Sequence, residues 1–454
     1  MMYNKALLLV GISWMAILAF GSAPAEGGKM VEITVTEEKI GKLKPALHGG
    51  NLAPPLYNEE IGMSIRDTYK ELRPAFARLH DAPLENPAMR LVDVNLIFAN
   101  FHADPDEPRN YYFTQTDDYI TNCINLGVPI FYRLGASIEH SFRKYFVNPP
   151  EDTAKWIKIA TNIIRHYTEG WGNGYNYDIQ YWEIWNEPDI PGGKMWTGSL
   201  DEFNKFYVET AKALKARFPH LKIGGPAHTA INEEFLRYCA EHKAPLDFYS
   251  YHNYTRDPFG TITQSPAKAR ELLDSLGYTQ TEIHLNEWHY CGLRDGLGNI
   301  AEMDNKLKCA EVGAASTLIL TLWHDTPLDA AAYYTLTRTG WGVYTRNTNV
   351  PTPTYYALKA FGKMLDFPVR LKAVSDKREV GVLAGCAEDG SRALLISNFK
   401  TGDIVLKING MNSVKNVLFV DDERKLEPGE FDFSGNTLKI RTGSDSSVCF
   451  VEYQ

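Results

Sequence analysis

The chain has no excess of positive charge. Its 454 residues carry 47 Lys and Arg against 56 Asp and Glu, a formal net charge of −9. That balance excludes the basic footprint by which nucleic-acid binders hold phosphate. Cysteine is sparse and dispersed: Cys123, Cys239, Cys291, Cys309, Cys386 and Cys449 form no CxxC pair and no compact Cys/His cluster. A chain of this size needs no covalent staples. Cys123, Cys239 and Cys309 sit in helical patterns and read as buried thiols, and Cys386 with Cys449 is the one pair considered for a disulfide. No GxGxxG or P-loop follows the first strand, which removes the main reason to expect a nucleotide fold. No GxSxG elbow and no HExxH helix are present, which argues against a Ser-His-Asp hydrolase and a zinc protease. Past the N terminus no apolar run reaches the ~20 residues of a membrane span. No cofactor and no metal are called for.

What is present begins with an export pattern. Lys5 precedes an apolar run from Ala6 to Phe20, and Ala23-Pro24-Ala25 follows as a small-residue cleavage site. Residues 1–25 are therefore expected to be a signal peptide, with a mature chain starting near Glu26 in the periplasm or outside the cell. A retained anchor is the alternative. No cysteine lies near the cut, so lipid attachment there is not expected.

From Ala46 onward, strand and helix signals alternate eight times. The expected strands are Ala46–Asn51, Ala77–His80, Pro129–Leu134, Gln180–Trp185, Leu221–Gly224, Leu246–Tyr251, Glu282–Glu287 and Ile319–His324. Alternation of this kind implies βαβ units and a parallel sheet, and eight repeats match a (β/α)8 barrel over residues 47–368. Past Arg370, short alternating runs such as ALLISNF and DIVLKI, punctuated by Gly, Asp and Asn, read as an accessory antiparallel β-sandwich over residues 369–454. The strands in residues 26–46 are expected to join it. The fold class is α/β, a barrel with an accessory β-sandwich.

The chemistry centres on YWEIWNEPD, Tyr181 to Asp189: an apolar strand that delivers Asn186 and Glu187 and is stopped by Pro188. EIHLNEWHY, Glu282 to Tyr290, repeats the design with Asn286 and Glu287. In such a barrel the site lies at the C-terminal ends of the strands. Glu187 then ends the fourth strand and Glu287 the seventh, and two carboxyl groups facing each other are what glycoside hydrolysis requires. Glu183, inside the strand, reads as scaffold paired with a cation. Arg78, His80, Arg133, His252, Asn253, Tyr254, Trp323 and His324 fall at other strand ends and supply partners for carboxylates or an apolar surface for a sugar ring. A metal cluster of His284, Glu287, His289 and Cys291 is the rival. Alternation along the strand would put His284 and Glu287 on opposite faces.

WEIWNEPD at 182–189, DFYSYHNY at 247–254, HLNEW at 284–288 and, more loosely, ARLHDAPL at 77–84 resemble the clan A glycoside hydrolases, and within them family 39, which includes β-xylosidases and α-L-iduronidases. The resemblance implies a retaining mechanism, with Glu187 as general acid/base and Glu287 as nucleophile. It implies that Asn186 meets the sugar 2-hydroxyl, that Arg78, His252 and Tyr254 surround the carboxylates, and that Trp323 is an eighth-strand platform. His80 is a further substrate-side candidate. The expected partner is an oligosaccharide or polysaccharide, cleaved with β-xylosidase-like exo action. A uronidase, an endo-glycanase and a non-catalytic carbohydrate-binding barrel are the alternatives. RLHDAPL departs from the family pattern where a glycine is expected after His80. The loops after strands seven and eight match no specificity pattern; Arg294, Arg338 and Arg346 there are candidates for a uronate carboxylate.

Overall fold

Short apolar runs, several of them rich in aromatics, separated by amphipathic segments fold here into alternating strands and helices. The computed structural model describes residues 29–54, 64–79, 91–292, 300–345 and 348–454. After a first strand β1 (Lys29–Lys42), eight strands close into a parallel barrel: β2 (Gly49–Asn51), β3 (Ala77–Leu79), β4 (Ile130–Leu134), β5 (Tyr181–Ile184), β6 (Lys222–His228), β7 (Phe248–Thr255), β8 (Glu282–Tyr290) and β9 (Ala330–Tyr333). Among the described residues no helix is long and apolar enough to cross a membrane.

The barrel interior is layered. At its N-terminal end Phe131 packs on Tyr181 and Phe248, with ring centroids 5.3 and 5.1 Å apart, and Phe248 stacks on His284 at 4.8 Å. Two residues further along the same strands the layer becomes ionic, built on Arg78, Glu183, Ser250 and Asn286. Above it the mouth opens. Small residues make room for this filling: a Cβ on Gly224 would lie 2.2 Å from the Phe248 carbonyl oxygen.

The outer helices follow local signals. Helix Leu200–Arg217 starts at a capping box, in which Ser199 accepts from the Glu202 N–H and Glu202 accepts in return from the Ser199 N–H. The eighth strand differs from its expected place. Ile319–His324 belongs to helix Ala310–Trp323, and the strand is the later run Ala330–Tyr333. The physical reason is burial on two sides. This helix lies between the barrel and the accessory domain, where Thr317 accepts from Ser397 and Leu318 packs against Gly381. It carries no polar face, and a run that is apolar all round cannot be told from a buried strand by periodicity.

The accessory domain adds β10 (Val369–Ser375), β11 (Val380–Cys386), β12 (Arg392–Asn398), β13 (Ile404–Asn409), β14 (Val414–Val420), β15 (Lys425–Pro428), β16 (Asp432–Ser434), β17 (Thr437–Arg441) and β18 (Ser447–Tyr453). With β1 they form one ten-stranded sheet in the order β15-β14-β18-β12-β11-β10-β1-β13-β17-β16. The sheet curls over its own core, bringing Ile33, Leu394, Leu406 and Phe419 together. Residues 26–46 supply one long strand rather than two. Its pairing with β13 is parallel, an exception in an otherwise antiparallel sheet. Cys386 and Cys449 are free. Cys386 pairs with Arg392 and Cys449 with Ile396 along β12, so they stand on opposite sides of that strand and about 14 Å apart along it.

Candidate active site

β5 ends at Ile184 and the chain turns sharply. Trp185 and Glu187 take left-handed backbone conformations, with φ of +71° and +41°, which cost energy for residues that carry a side chain. Surrounding contacts hold the turn. The Trp185 N–H donates to the Leu134 carbonyl at 2.7 Å, its indole N–H donates to the Met195 carbonyl at 2.8 Å, and the Glu187 N–H donates to the Ala227 carbonyl at 2.9 Å. Asp189 accepts from both the N–H and the hydroxyl of Thr229. The result lifts the Glu187 carboxyl group over the barrel mouth.

β8 presents two consecutive side chains to the same interior, which strict alternation forbids. The Asn286 amide donates to Glu183, while the carboxylate of Glu287 meets His252 and Arg78. Irregular register makes this possible: pairing with β7 shifts between Ser250 and His252, and pairing with β9 between Leu285 and Trp288. The expectation that His284 and Glu287 lie on opposite faces is therefore corrected. Both face inward, but at different heights. His284 sits in the bottom layer, 3.0 Å from Glu282, and His289 meets the Tyr333 hydroxyl at 2.8 Å. The proposed metal set does not converge.

His252, on β7, joins the two glutamates. Its Nδ1 lies 2.7 Å from Glu187 Oε1 and 3.0 Å from Glu287 Oε2. Burial opposes the imidazolium, but the two carboxylates outweigh it and push the His252 pKa up to about 9. Burial is also the main influence on Glu187 and raises its pKa; the His252 hydrogen bond and charge pull it back, and the Glu287 charge adds to the rise. One donor atom from each of Glu187, His252 and Glu287 lies within 4.8 Å of the other two. Such a trio could close on a metal ion only by displacing the proton that His252 shares with the two carboxylates.

Beneath them Arg78 is the hub. Fully buried, it donates to Glu183 at 2.8 Å, to Asn51 at 3.0 Å and to Asn186 at 2.6 Å, and lies 3.6 Å from Glu287. Glu183 also accepts from Ser250 at 2.6 Å, so its reading as scaffold holds. The cavity above has a volume of about 630 Å³, and its wall includes Asn186, Glu187, His252, Asn253, Tyr254 and Glu287. Burial, reinforced by Glu287, raises the Tyr254 phenol well above its ordinary value.

Glu187, Glu287, Asn186, Arg78, His252 and Tyr254 are thus brought together. Trp323 is not. It ends helix Ala310–Trp323 outside the barrel, fully buried, with its ring edge-on to Trp288 at 4.8 Å and its indole N–H donated to the Ile262 carbonyl. His324 caps the same helix through the Leu320 carbonyl, and Arg133 is committed to Asp93 at 3.2 Å. Arg338 lies 3.4 Å from Asn349. His80, Arg294 and Arg346 fall outside the described residues. Sequence reasoning missed Tyr334 and Trp341, which line the cavity together with Tyr254. Both follow the true eighth strand, so their signal was the Ala330–Tyr333 run itself. Asn51 and Ser250 were also missed; each stands at the level of Glu183, and Ser250 is readable from the alternation Phe248, Ser250, His252.

Residues 88–273 match the family model for glycosyl hydrolases family 39. A β-xylosidase of Geobacillus stearothermophilus is 32% identical over 174 residues, covering 35% of this chain and 34% of that protein. A β-xylosidase of Caldicellulosiruptor saccharolyticus is 26% identical over 221 residues, 43% of each chain. The matches thus span less than half the length of these relatives. The crystal structure of a glucosidase from Croceicoccus marinus superposes with a TM-score of 0.77 at 22% identity, covering 93% of this chain and 98% of that one; at that identity the likeness is one of fold. The family match takes in β4 to β7, hence Glu187 and His252, and over that stretch the chain is similar to glycosyl hydrolases family 39.

Proposed function

We propose that this chain is an exported retaining glycoside hydrolase with β-xylosidase-like exo action on oligosaccharides. The observation that carries the reading is the closeness of Glu187 and Glu287, with one oxygen from each within 4.8 Å of the other. Retaining enzymes hold their carboxyl groups roughly 5–5.5 Å apart, and inverting ones ~6.5–9.5 Å apart to admit a water. Glu287 attacks the anomeric carbon while Glu187 gives its proton to the departing glycosidic oxygen. A glycosyl ester on Glu287 and a free alcohol result. Glu187, now a base, takes a proton from water, the water oxygen attacks the anomeric carbon, and Glu287 leaves as carboxylate.

The surroundings support these roles. Two cations, Arg78 and His252, face Glu287 and stabilise the negative charge a nucleophile carries. The raised pKa of Glu187 favours the protonated form the first step consumes. Asn186, fixed by Arg78, lies on the cavity wall where it can meet a sugar hydroxyl. Tyr334 and Trp341 give that wall an aromatic surface for the C–H face of a ring. Export rests on the pattern Lys5, Ala6–Phe20 and Ala23-Pro24-Ala25. A panel of aryl glycosides differing only in the sugar tests the activity and names the glycone, with the β-xyloside expected to be the best substrate. Proton NMR of the first-formed sugar tests the stereochemistry: the anomer of the substrate is expected, and the opposite anomer would overturn retention.

A further inference from the structure

Beside the catalytic cavity lies a second one of about 450 Å³, over the C-terminal ends of β3, β4 and β5. The two share a wall. Trp185 lines the second cavity, and the next residues, Asn186 and Glu187, line the first. The segment after β4 does the same, with Gly135 and Ala136 on one side and Ile138 and His140 on the other. We propose that this second cavity is a saccharide-binding site that takes further sugar units of the chain whose end occupies the catalytic cavity. The inference rests on the glycosidase reading and extends it to substrate length.

Three observations carry it. The wall is aromatic, formed by Phe101, Tyr145, Phe146, Trp156 and Trp185. Tyr145 and Phe146 are 58% and 38% exposed. Exposed aromatic rings beside a concave wall suit the C–H faces of pyranose rings. Asn95 supplies the polar contact. Both atoms of its side-chain amide are buried without a hydrogen-bond partner, and the residue lines the cavity. Buried amides are normally paired; a sugar hydroxyl, which donates and accepts, satisfies either end. The third observation is charge. Among the described lining residues Glu151 alone is ionisable at neutral pH; Arg143 and Lys155 lie over the Tyr145 and Phe101 rings, 5.2 and 5.6 Å from their centroids, and do not themselves line the cavity. The geometry selects a neutral, ring-shaped, hydroxyl-rich ligand.

The test uses the whole chain with Glu287→Gln, titrated calorimetrically with mono-, di-, tri- and tetrasaccharides of the β-1,4-xylose and β-1,4-glucose series. Affinity is expected to rise at least tenfold between the monosaccharide and the tetrasaccharide of the sugar preferred. Asn95→Leu and, separately, the surface change Tyr145→Ser should each remove most of that gain; circular dichroism melting verifies folding, and Tyr145→Ser, at an exposed position, guards against failure of the first variant. Affinity independent of chain length, or a gain untouched in both variants, overturns the second site. Hydrolysis of the matching aryl glycoside by the unmodified chain is read in parallel. If it proceeds while the length gain is missing, the second site alone falls. If no aryl glycoside is cleaved and no saccharide binds, the glycosidase reading falls and the second site with it.

Discussion

Glu183 lies within β5 and Glu187 just beyond its end, and the two carboxyl groups meet different surroundings. Glu183 is fully buried and saturated: both Nε and Nη2 of Arg78 donate to it, and so do Ser250 and Asn286. Its charge partner, a guanidinium, does not titrate in proteins. Glu187 stands on a strained turn, lines the cavity, and among the described residues has the imidazole of His252 as its side-chain partner, shared with a second carboxylate. Four residues along one strand separate a carboxylate enclosed in a saturated ionic cluster from one whose proton affinity is raised by burial and responds to the charge on its neighbours. A barrel can therefore keep a rigid ionic plug directly under a responsive site, because successive inward positions on a strand sit in successive layers.

Replacing the upper pair should affect chemistry far more than stability. Glu287→Ala is expected to lower turnover of an activated aryl glycoside by roughly 10⁴-fold or more; near-normal rates in steady-state assays would remove it as nucleophile. Glu187→Gln should cost roughly 10²–10⁴-fold on substrates with poor leaving groups and far less on a dinitrophenyl glycoside, which needs no proton. The first step uses the acid form of Glu187. Activity in the parent must therefore fall as pH rises through a pKa held above the ordinary carboxyl value, and that alkaline limb should vanish in Glu187→Gln.

The lower layer reverses the expectation. Glu183→Gln keeps the shape and removes the closest counter-charge of Arg78, leaving only the more distant Glu287 at 3.6 Å, so a loss of ~3 kcal/mol in denaturant unfolding is expected. A variant as stable as the parent would show that the plug is not what holds the mouth in place. His252 gives a sharper contrast, since it can lose its proton. Its pKa is raised from 6.5 to about 9 in the folded chain. The stability it contributes is therefore complete below pH 6.5 and lost as pH rises to about 9, on the order of 3 kcal/mol. Unfolding free energies measured across that range should decline in the parent and stay nearly flat in His252→Gln.

Much of this was legible in the sequence, and the limits have physical causes. Glu187 and Glu287 could be read because strand, carboxylate and proline or aromatic follow one another locally, and a closed barrel converts strand order into position. Glu183 could be read as scaffold from alternation alone. The bulge on β8 could not be read, because a bulge is a shift in pairing between strands, and either strand looks regular by itself. The eighth strand was misplaced because helix Ala310–Trp323 has no solvent face: the accessory domain covers the side that would otherwise carry charge. That single error moved the aromatic surface from Tyr334 and Trp341 to Trp323.

The displaced tryptophan offers the smallest expected effect and a clean one. Trp323 and Trp341 differ as Glu183 and Glu187 do, one locked in packing and the other on the cavity wall. The indole of Trp323 is fully buried, packed on Trp288 and hydrogen-bonded to Ile262. Trp341 lies partly open beside Tyr334, with ring centroids 6.3 Å apart. Losing one aromatic face under a sugar should weaken binding by about tenfold, or ~1.4 kcal/mol. Trp341→Ala is thus expected to raise KM for the preferred aryl glycoside by that factor with little change in kcat. Trp323→Phe keeps an aromatic ring against Trp288 and gives up only a hydrogen bond, so it should lower the melting temperature and leave KM where it was. If instead Trp323→Phe raises KM while Trp341→Ala does not, the sugar ring is held from the Trp288 side of β8, and the cavity wall drawn around Tyr334 is the wrong one.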